Sequence, residues 1–220
     1  MTKKSKPALY LIGGLARTGK TKIARAVMRR RHVASVSTDS IRAAIRKVLI
    51  GESYVAVHKV NLKGKVAFHR PGSLKVHHLI FTKDHWDEDE MTWQGVLGFI
   101  ETHDRHKVDL LIEGIAVTPE RIRRLKLKNL RIKAVFVRYG REAHLESILA
   151  YSRKKKDWIH TVIKEQEGDD TPVKKGVRKG IVKSTTLKKQ ARRFGYGYFD
   201  VTARPFETQI KAATSYLLKH

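Results

Sequence analysis

Short apolar runs alternate along the chain with segments whose patterning is helical. The runs have the length of buried strands and lie at residues 8–12, 33–36, 108–117, 132–139 and 196–202. Predicted helices cover residues 20–30, 37–50, 92–103, 119–125, 141–166, 185–194 and the segment that begins at Pro205. Residues 51–90 and 168–183 show neither pattern, and we expect irregular structure there. The alternation predicts an α/β fold, with a five-stranded parallel sheet covered by helices on both faces.

The length of the chain predicts how these elements are organised. Its 220 residues fit a single domain with one sizeable core, so we expect one domain over residues 1–220. Ligands of open parallel sheets bind at the carboxyl ends of the strands. The candidate motifs all follow predicted strands, which places them at that edge.

The first predicted strand leads directly into a glycine-rich loop and then a helix. The loop reads Gly14-Leu15-Ala16-Arg17-Thr18-Gly19-Lys20-Thr21 and matches G-x-x-x-x-G-K-[ST] in full. Backbone N–H groups of such a loop wrap a phosphate, and the helix adds the positive end of its dipole. We expect Lys20 to reach the β- and γ-phosphates of a nucleotide and Thr21 to bind Mg²⁺. The other candidate nucleotide-binding residues are Gly14, Ala16, Arg17, Thr18 and Gly19. The alternative is a plain strand–turn–helix junction.

Two carboxylates follow other predicted strands. Asp39 comes after the second strand, where a carboxylate can face the γ-phosphate and orient an acceptor hydroxyl. Alternatively, Asp39 or Thr38 only caps the next helix, for which Ser37 is a third N-cap candidate. Glu113 ends the third strand, where it can hold the water shell of Mg²⁺ or position the acceptor, although Asp is more usual and a structural role is the alternative. Arg42, one turn beyond Asp39, either binds an anionic acceptor or is a solvated charge.

Two segments with different compositions are expected to flank this site. Residues 51–90 are predicted to be an insertion on the acceptor side, where an anion can be bound by His69, Arg70, Lys75 and His78. Residues 141–194 are basic and are predicted to form a helical lid that keeps water from the phosphates. Within this lid, Arg153 is the candidate for stabilising charge on a transferring phosphoryl group.

The charge of the chain is its most unusual global property. Lys and Arg number 47 against 21 Asp and Glu, which gives a formal net charge of +26. Such a field attracts polyanions, so nucleic acid is a candidate partner beside nucleotides and phosphorylated metabolites; a solvated basic surface is the alternative. There is no cysteine, and no stretch approaches the roughly 20 apolar residues of a membrane helix. Both observations agree with a cytoplasmic protein.

Several of these segments together carry a resemblance to a known family. "IGGLARTGKT", "VSTDSIRAAIR" and "LLIEGIAVTP" resemble the 2-phosphoglycerate kinase group of P-loop kinases, and the ending "YFDVTARPFETQIKAATSYLLKH" is similar too. The resemblance implies an adenylate-kinase-like core, ATP with Mg²⁺, and phosphoryl transfer to a small hydroxylated acceptor. It also implies that Lys20 and Thr21 bind ATP and Mg²⁺ and that Asp39 lies beside the acceptor.

Sequence and resemblance together predict an ATP-dependent kinase of a small, anionic metabolite. A GTP-binding protein is disfavoured, because the base-recognition pattern N-K-x-D does not occur in the chain. The first alternative is a kinase of polynucleotide 5′-hydroxyls, or another nucleic-acid-binding P-loop ATPase, which the net charge supports. The second is a non-enzymatic module whose binding to a partner depends on nucleotide.

Overall fold

We describe a computed structural model of the protein, which covers residues 6–50, 60–62, 65–67, 84–139, 143–156, 158–165, 167–202 and 205–219. The strands are β1 (Ala8–Gly14), β2 (Ser35–Ser37), β3 (Val60–Leu62), β4 (Lys65–Ala67), β5 (Leu110–Gly114), β6 (Arg131–Arg138) and β7 (Gly197–Asp200). The helices are α1 (Lys20–Arg31), α2 (Thr38–Ile50), α3 (Asp84–His106), α4 (Pro119–Arg123), α5 (Ala143–Lys155), α6 (Trp158–Glu165), α7 (Thr171–Arg193) and α8 (Phe206–Lys219).

Within the described ranges, a five-stranded parallel sheet is formed, in spatial order, by β2, β5, β1, β6 and β7. A separate antiparallel hairpin is formed by β3 and β4. From β1 the chain moves to one side of the sheet for β2 and β5, and then to the other side for β6 and β7. The strand order therefore reverses at β1, and the carboxyl end of β1 is the expected place for a ligand. The predicted α/β fold is confirmed.

Strand β1 is buried along its whole length and separates two apolar cores. Leu9 and Leu11 lie in the core that α2, α3 and α4 cover, which we call the α2/α3 core. Tyr10 and Ile12 lie in the core that α1, α5 and α8 cover, which we call the α1/α8 core. Successive strand residues point to opposite faces, so both faces of the sheet are buried.

Helix α7 contributes to both cores and crosses from one face of the sheet to the other. Val177 packs in the α1/α8 core, whereas Ala191 packs in the α2/α3 core. Between them, Gly180 lies against Leu15 of the glycine-rich loop, since a Cβ at Gly180 would be 3.3 Å from the Leu15 Cδ1 atom. The crossing therefore runs over the carboxyl edge of the sheet, beside the loop.

Two boundary predictions after β6 are wrong. Residues 168–183 were expected to be irregular, but α7 runs unbroken through them from Thr171. The glycines of this helix lower its intrinsic stability, yet docking of its apolar positions on the sheet outweighs propensity. The helix predicted over 141–166 is in fact α5 and α6, which are separated near Lys156, where φ is 48°.

Some predictions fall where the structure gives no description. Most of the expected insertion 51–90 lies outside the described residues, apart from β3, β4 and the start of α3. The candidate anion-binding residues of that insertion also lie outside them: His69, Arg70, Lys75 and His78. The expected lid, 141–194, corresponds to α5, α6 and α7, and its closure over phosphates stays a prediction. In the described ranges no helix is both long and apolar enough to span a membrane, and the cytoplasmic location stays a prediction.

Two glycine substitutions compare the tight packing at Gly13, in the central strand, with the open space around Gly98, in α3. A Cβ at Gly13 would lie 2.4 Å from both the Val117 carbonyl oxygen and the Phe136 Cε1 atom, so Gly13→Ala should lower the free energy of unfolding by about 1–3 kcal/mol. Gly98, in α3, has no atom within 4 Å of its position for a Cβ. Gly98→Ala should therefore raise the free energy of unfolding by about 0.5–1 kcal/mol. Urea unfolding measures both changes, and effects of the same sign would contradict the packing described.

Candidate active site

Residues 14–19 of the glycine-rich loop join β1 to α1 in a conformation that needs glycine at both ends. Gly14 has a φ of 139°, and a Cβ there would lie 2.1 Å from the Val137 carbonyl oxygen. Gly19 has a φ of 87°, and its Cβ would lie 2.5 Å from the Ile210 Cδ1 atom. Gly19 is also the N-cap residue of α1, and no side-chain hydrogen bond caps the helix there. The first N–H groups of α1 can therefore serve a bound phosphate.

Lys20 is buried against this loop. Its Nζ donates to the Leu15 carbonyl oxygen at 2.6 Å, and the Thr18 hydroxyl donates to the same oxygen at 2.8 Å. Burial lowers the pKa of Lys20, whereas the negative charges of Glu113 and Asp39 act to raise it. The ammonium group thus contacts the loop and lies within the field of both candidate catalytic carboxylates.

The Thr21 hydroxyl donates a hydrogen bond to Glu113 Oε1 at 2.9 Å. Glu113 is 9% exposed near the end of β5, and its register partners are Ile12 on one side and Ser37 on the other. Hydroxyl and carboxylate oxygens are the hard ligands that Mg²⁺ prefers. The pair therefore fits a Mg²⁺ ion beside the loop, and it favours the Mg²⁺ side over the acceptor side for Glu113.

A close approach of two segments brings the start of α2 to the end of β5. A Cβ at Gly114 would lie 1.9 Å from the Thr38 Oγ1 atom, so only glycine allows this contact. Because α2 begins at Thr38, Asp39 stands at the same edge of the sheet as Glu113. Sequence reasoning missed this role of Gly114, although a glycine at a strand end is a signal for close backbone approach.

Of the three N-cap candidates, Ser37 caps α2, and Thr38 and Asp39 do not. The Ser37 hydroxyl accepts a hydrogen bond from the Ser40 N–H at 2.9 Å, which is the usual N-cap arrangement. Asp39 is exposed in the first turn of α2. Capping therefore does not explain the carboxylate of Asp39.

A cavity of about 820 Å³ opens beside the loop on the side of α5 and α8. The loop side supplies cationic and hydroxyl groups, among them Arg17 and Thr21. The rest of the lining includes apolar and aromatic side chains, namely Ile148, Tyr151, Val201 and Phe206. The Arg17 guanidinium lies over the Tyr151 ring at 5.3 Å from its centroid. Such a cavity can hold a phosphate chain at one end and a flat apolar group at the other.

Two arginines meet on the other side of the site, between α2, α3 and α4. Arg42 forms an ion pair with Asp89, and Arg121 forms one with Glu90 at 3.2 Å and donates to the Asp89 carbonyl oxygen at 3.3 Å. The Arg42 and Arg121 side chains are 17% and 19% exposed, whereas those of Asp89 and Glu90 are 54% and 51% exposed. The Arg121 guanidinium also lies over the Trp93 ring. Both cations are thus held in place while their carboxylate partners face solvent. Sequence reasoning missed Arg121, because α4 showed no chemical motif.

Arg153, the predicted lid cation, is not among the residues that line the cavity. Its side chain is 64% exposed, and its guanidinium lies 3.8 Å from a carboxylate oxygen of Asp170. Its catalytic role stays a prediction.

Arg138 and Asp200 form a partly buried ion pair that joins the ends of β6 and β7. The guanidinium lies 2.9 Å from Asp200 Oδ2 and donates to the Ser184 hydroxyl at 3.3 Å, which attaches α7 to the sheet. The pKa of Asp200 lies below its usual value. Burial acts to raise it, but hydrogen bonds from Thr202 and Arg138 and the charge of Arg138 outweigh burial. Sequence reasoning missed this pair. The available signal was an arginine at the end of a buried apolar strand.

No protein-family model matches this sequence, and no curated protein matches it. Solved structures, in contrast, match over nearly the whole chain. One is a gluconokinase from Sinorhizobium meliloti 1021, with a TM-score of 0.54 and 13% identity, covering 98% of this chain and 94% of that one. Another is a shikimate kinase from Bacteroides thetaiotaomicron, with a TM-score of 0.52 and 15% identity, covering 96% of this chain and 97% of that one.

The protein has the fold of the P-loop kinases. At these identities the likeness shows the fold alone, and it agrees with the loop geometry and sheet order described above. Membership of the 2-phosphoglycerate kinase group, which is more specific than the fold, stays a prediction.

The ion pair at the ends of β6 and β7 predicts how stability depends on pH. Asp200→Asn should lower the free energy of unfolding by about 3 kcal/mol at pH 7, because it leaves Arg138 without its carboxylate. The folded-state pKa of Asp200 lies below the ordinary 3.8. This stabilisation is therefore complete above about pH 4 and is lost as the pH falls through the folded-state value.

Urea unfolding between pH 7 and pH 2 measures this difference, which should shrink towards zero at the acid end. Glu207→Gln is the control, because it removes the carboxylate of an exposed pair with Lys22 and should cost no more than about 1 kcal/mol. A constant difference between Asp200→Asn and the unmodified protein over the whole pH range would contradict the pKa assignment.

Proposed function

We propose that the protein is a Mg²⁺-dependent kinase that transfers the γ-phosphoryl group of ATP to a hydroxyl of a small, anionic metabolite. The observation that carries this proposal is the hydrogen bond from Thr21 to Glu113, with Lys20 buried beside both. This hydrogen bond joins the last residue of the phosphate-loop motif to a carboxylate at a strand end. A nucleotide-bound Mg²⁺ is held by a hydroxyl and a carboxylate in these two places.

The nucleotide would bind with its phosphates in the loop and its base in the cavity beside Tyr151 and Phe206. Loop N–H groups and the start of α1 would bind the phosphate oxygens, and Lys20 would exchange its contact with Leu15 for the β- and γ-phosphates. Thr21 and Glu113 would hold Mg²⁺, which neutralises charge that develops on the transferring group. The resemblance to known kinases named above supports the same assignment.

The acceptor would bind on the side of α2. Asp39 is exposed there, capping does not explain its carboxylate, and its charge reaches Lys20. We assign it the orientation of the acceptor hydroxyl: its carboxylate takes the proton as the oxygen bonds to the γ-phosphorus and the bond to ADP breaks. The acceptor's own anionic group would replace Asp89 and Glu90 as partner of Arg42 and Arg121. An acceptor that carries a carboxylate or phosphate fits these two guanidinium groups.

A screen for phosphate acceptors tests the proposed function. Labelled ATP and Mg²⁺ are supplied with hydroxy acids, phosphorylated hydroxy acids, neutral sugars and oligonucleotides, and the Lys20→Ala protein serves as the blank. We expect transfer to one or more of the anionic hydroxylated metabolites, and none by the Lys20→Ala protein. Transfer only to oligonucleotide 5′-hydroxyls, or equal transfer by the blank, would overturn the proposal.

Steady-state kinetics with the acceptor found in this way separate the two sides of the site. Asp39→Asn should bind ATP normally but lower kcat by about 10²–10⁴-fold, because the carboxylate acts on the acceptor hydroxyl. Arg121→Gln should instead raise KM for the acceptor by about tenfold, as expected for one charge-assisted hydrogen bond, with KM for ATP unchanged. An unchanged kcat in Asp39→Asn, or an effect of Arg121→Gln on ATP alone, would contradict these roles.

A further inference from the structure

A second cavity, of about 770 Å³, lies at the amino ends of the strands, on the edge of the sheet opposite the loop. Segments that precede β1, β5 and β6 line it, together with the end of α1. Strand β1 separates the two sites by its seven residues, about 20 Å of extended chain. No part of the site described above uses this cavity.

The lining of the second cavity is strongly cationic. It includes Lys6, Arg31, Lys107 and Arg131, against the single carboxylate of Asp109. Asp109 already accepts a hydrogen bond from the Ala8 N–H at 2.6 Å. Two of the cations contact carbonyl oxygens rather than carboxylates: Lys6 donates to Lys128 at 3.1 Å and Arg31 donates to Leu218 at 3.2 Å. Four cations and one anion leave the lining with a formal charge of +3.

The positive charge of this lining affects the pKa of a nearby buried ammonium group. Lys133, on β6, is 4% exposed and donates to the Leu218 carbonyl oxygen at 3.0 Å. Burial lowers the pKa of Lys133, and the positive charges of Arg131 and Arg31 lower it further. The cations around this edge of the sheet therefore repel one another, and a bound anion would relieve that repulsion.

The backbone conformation of Lys107 determines which variant can test this cavity. Lys107 follows α3 with a φ of 55°, in the left-handed region where helix ends favour glycine. Its N–H donates to Asp104 at 3.3 Å, and the Val108 N–H donates to His103 at 3.2 Å, which closes the helix. A lysine at such a position costs conformational energy that glycine would not. Glycine can therefore replace Lys107 without backbone strain.

The walls of the cavity are formed by hydrogen-bonded segments. The Asp104 carboxylate accepts hydrogen bonds from the backbone N–H groups of Asn129 at 2.8 Å and Leu130 at 2.9 Å. The Arg131 N–H donates to the Pro7 carbonyl oxygen at 2.8 Å. The cavity is thus preformed, as binding sites for small ligands usually are.

We propose that this cavity is a second anion-binding site, which takes a compact, multiply charged oligophosphate. Because its four cations line one cavity, they suit a small ligand better than a polymer backbone. Phosphate oxygens match both the ammonium groups of Lys6 and Lys107 and the guanidinium groups of Arg31 and Arg131. The proposal does not depend on the kinase function proposed above, because no residue is shared between the two sites.

Calorimetric titration with inorganic tripolyphosphate tests this site in the Lys20→Ala protein, where the loop lacks its ammonium group. Lys107→Gly is the test variant, because it removes the cation and suits the left-handed backbone. Lys156→Gly is the matched control: it also removes a lysine with positive φ, 48°, just after a helix, but it lies after α5 and not at the cavity. We expect Lys107→Gly to weaken binding by about tenfold and Lys156→Gly to leave it unchanged.

Acetylation footprinting of the unmodified protein gives a second readout that needs no variant. Tripolyphosphate should protect Lys6 and Lys107 from acetylation, whereas Lys211, which is exposed on α8 and lines neither cavity, should react as before. Equal weakening by the two glycine variants, equal protection of all three lysines, or no binding at all would overturn the proposal, since the charge of the whole protein would then explain the result.

Discussion

Burial of β1 on both faces is the constraint on which the rest of the structure depends. From Ala8 to Gly14 no residue of this strand is exposed, and none carries a charge. The charged groups of both candidate sites lie instead towards the two edges where strands end. At the carboxyl edge, the closely packed segments around Gly14, Gly19 and Gly114 bring Lys20, Thr21 and Glu113 together.

The same parallel arrangement gives the helix termini opposite partial charges at the two edges of the sheet. Helices that follow strands begin at the carboxyl edge, where the N-termini of α1 and α2 carry partial positive charge suited to phosphate. They end at the amino edge, where exposed carbonyl groups of α1 and α8 favour cations. Arg31 and Lys133 show the result, since both donate to the Leu218 carbonyl oxygen near the end of α8. One backbone architecture thus favours anionic ligands at one edge and a cluster of basic side chains at the other.

The sequence predicted what local patterns determine. Apolar runs located all five strands of the sheet, and the loop motif with its flanks located Lys20 and Thr21. The unbroken α7 was not predictable, because its two glycines disfavour helix locally and its stability comes from packing on distant strands. Partners that are distant in sequence were missed for the same reason. The contact of Gly114 with Thr38, the pair of Arg138 with Asp200, and the placement of Arg121 all depend on the folded chain.

The crossing of α7 has a consequence for the order in which the protein folds. The surfaces that receive this helix belong to both cores, so they are complete only when helices on both faces have packed on the sheet. Its contacts with the loop and with β6 also join parts of the chain that are far apart in sequence, and such contacts carry a large loop-closure cost. We therefore expect α7 to dock late in folding. A chain that has collapsed around β1 but has not yet docked α7 would hold an open phosphate loop, with Leu15 uncovered.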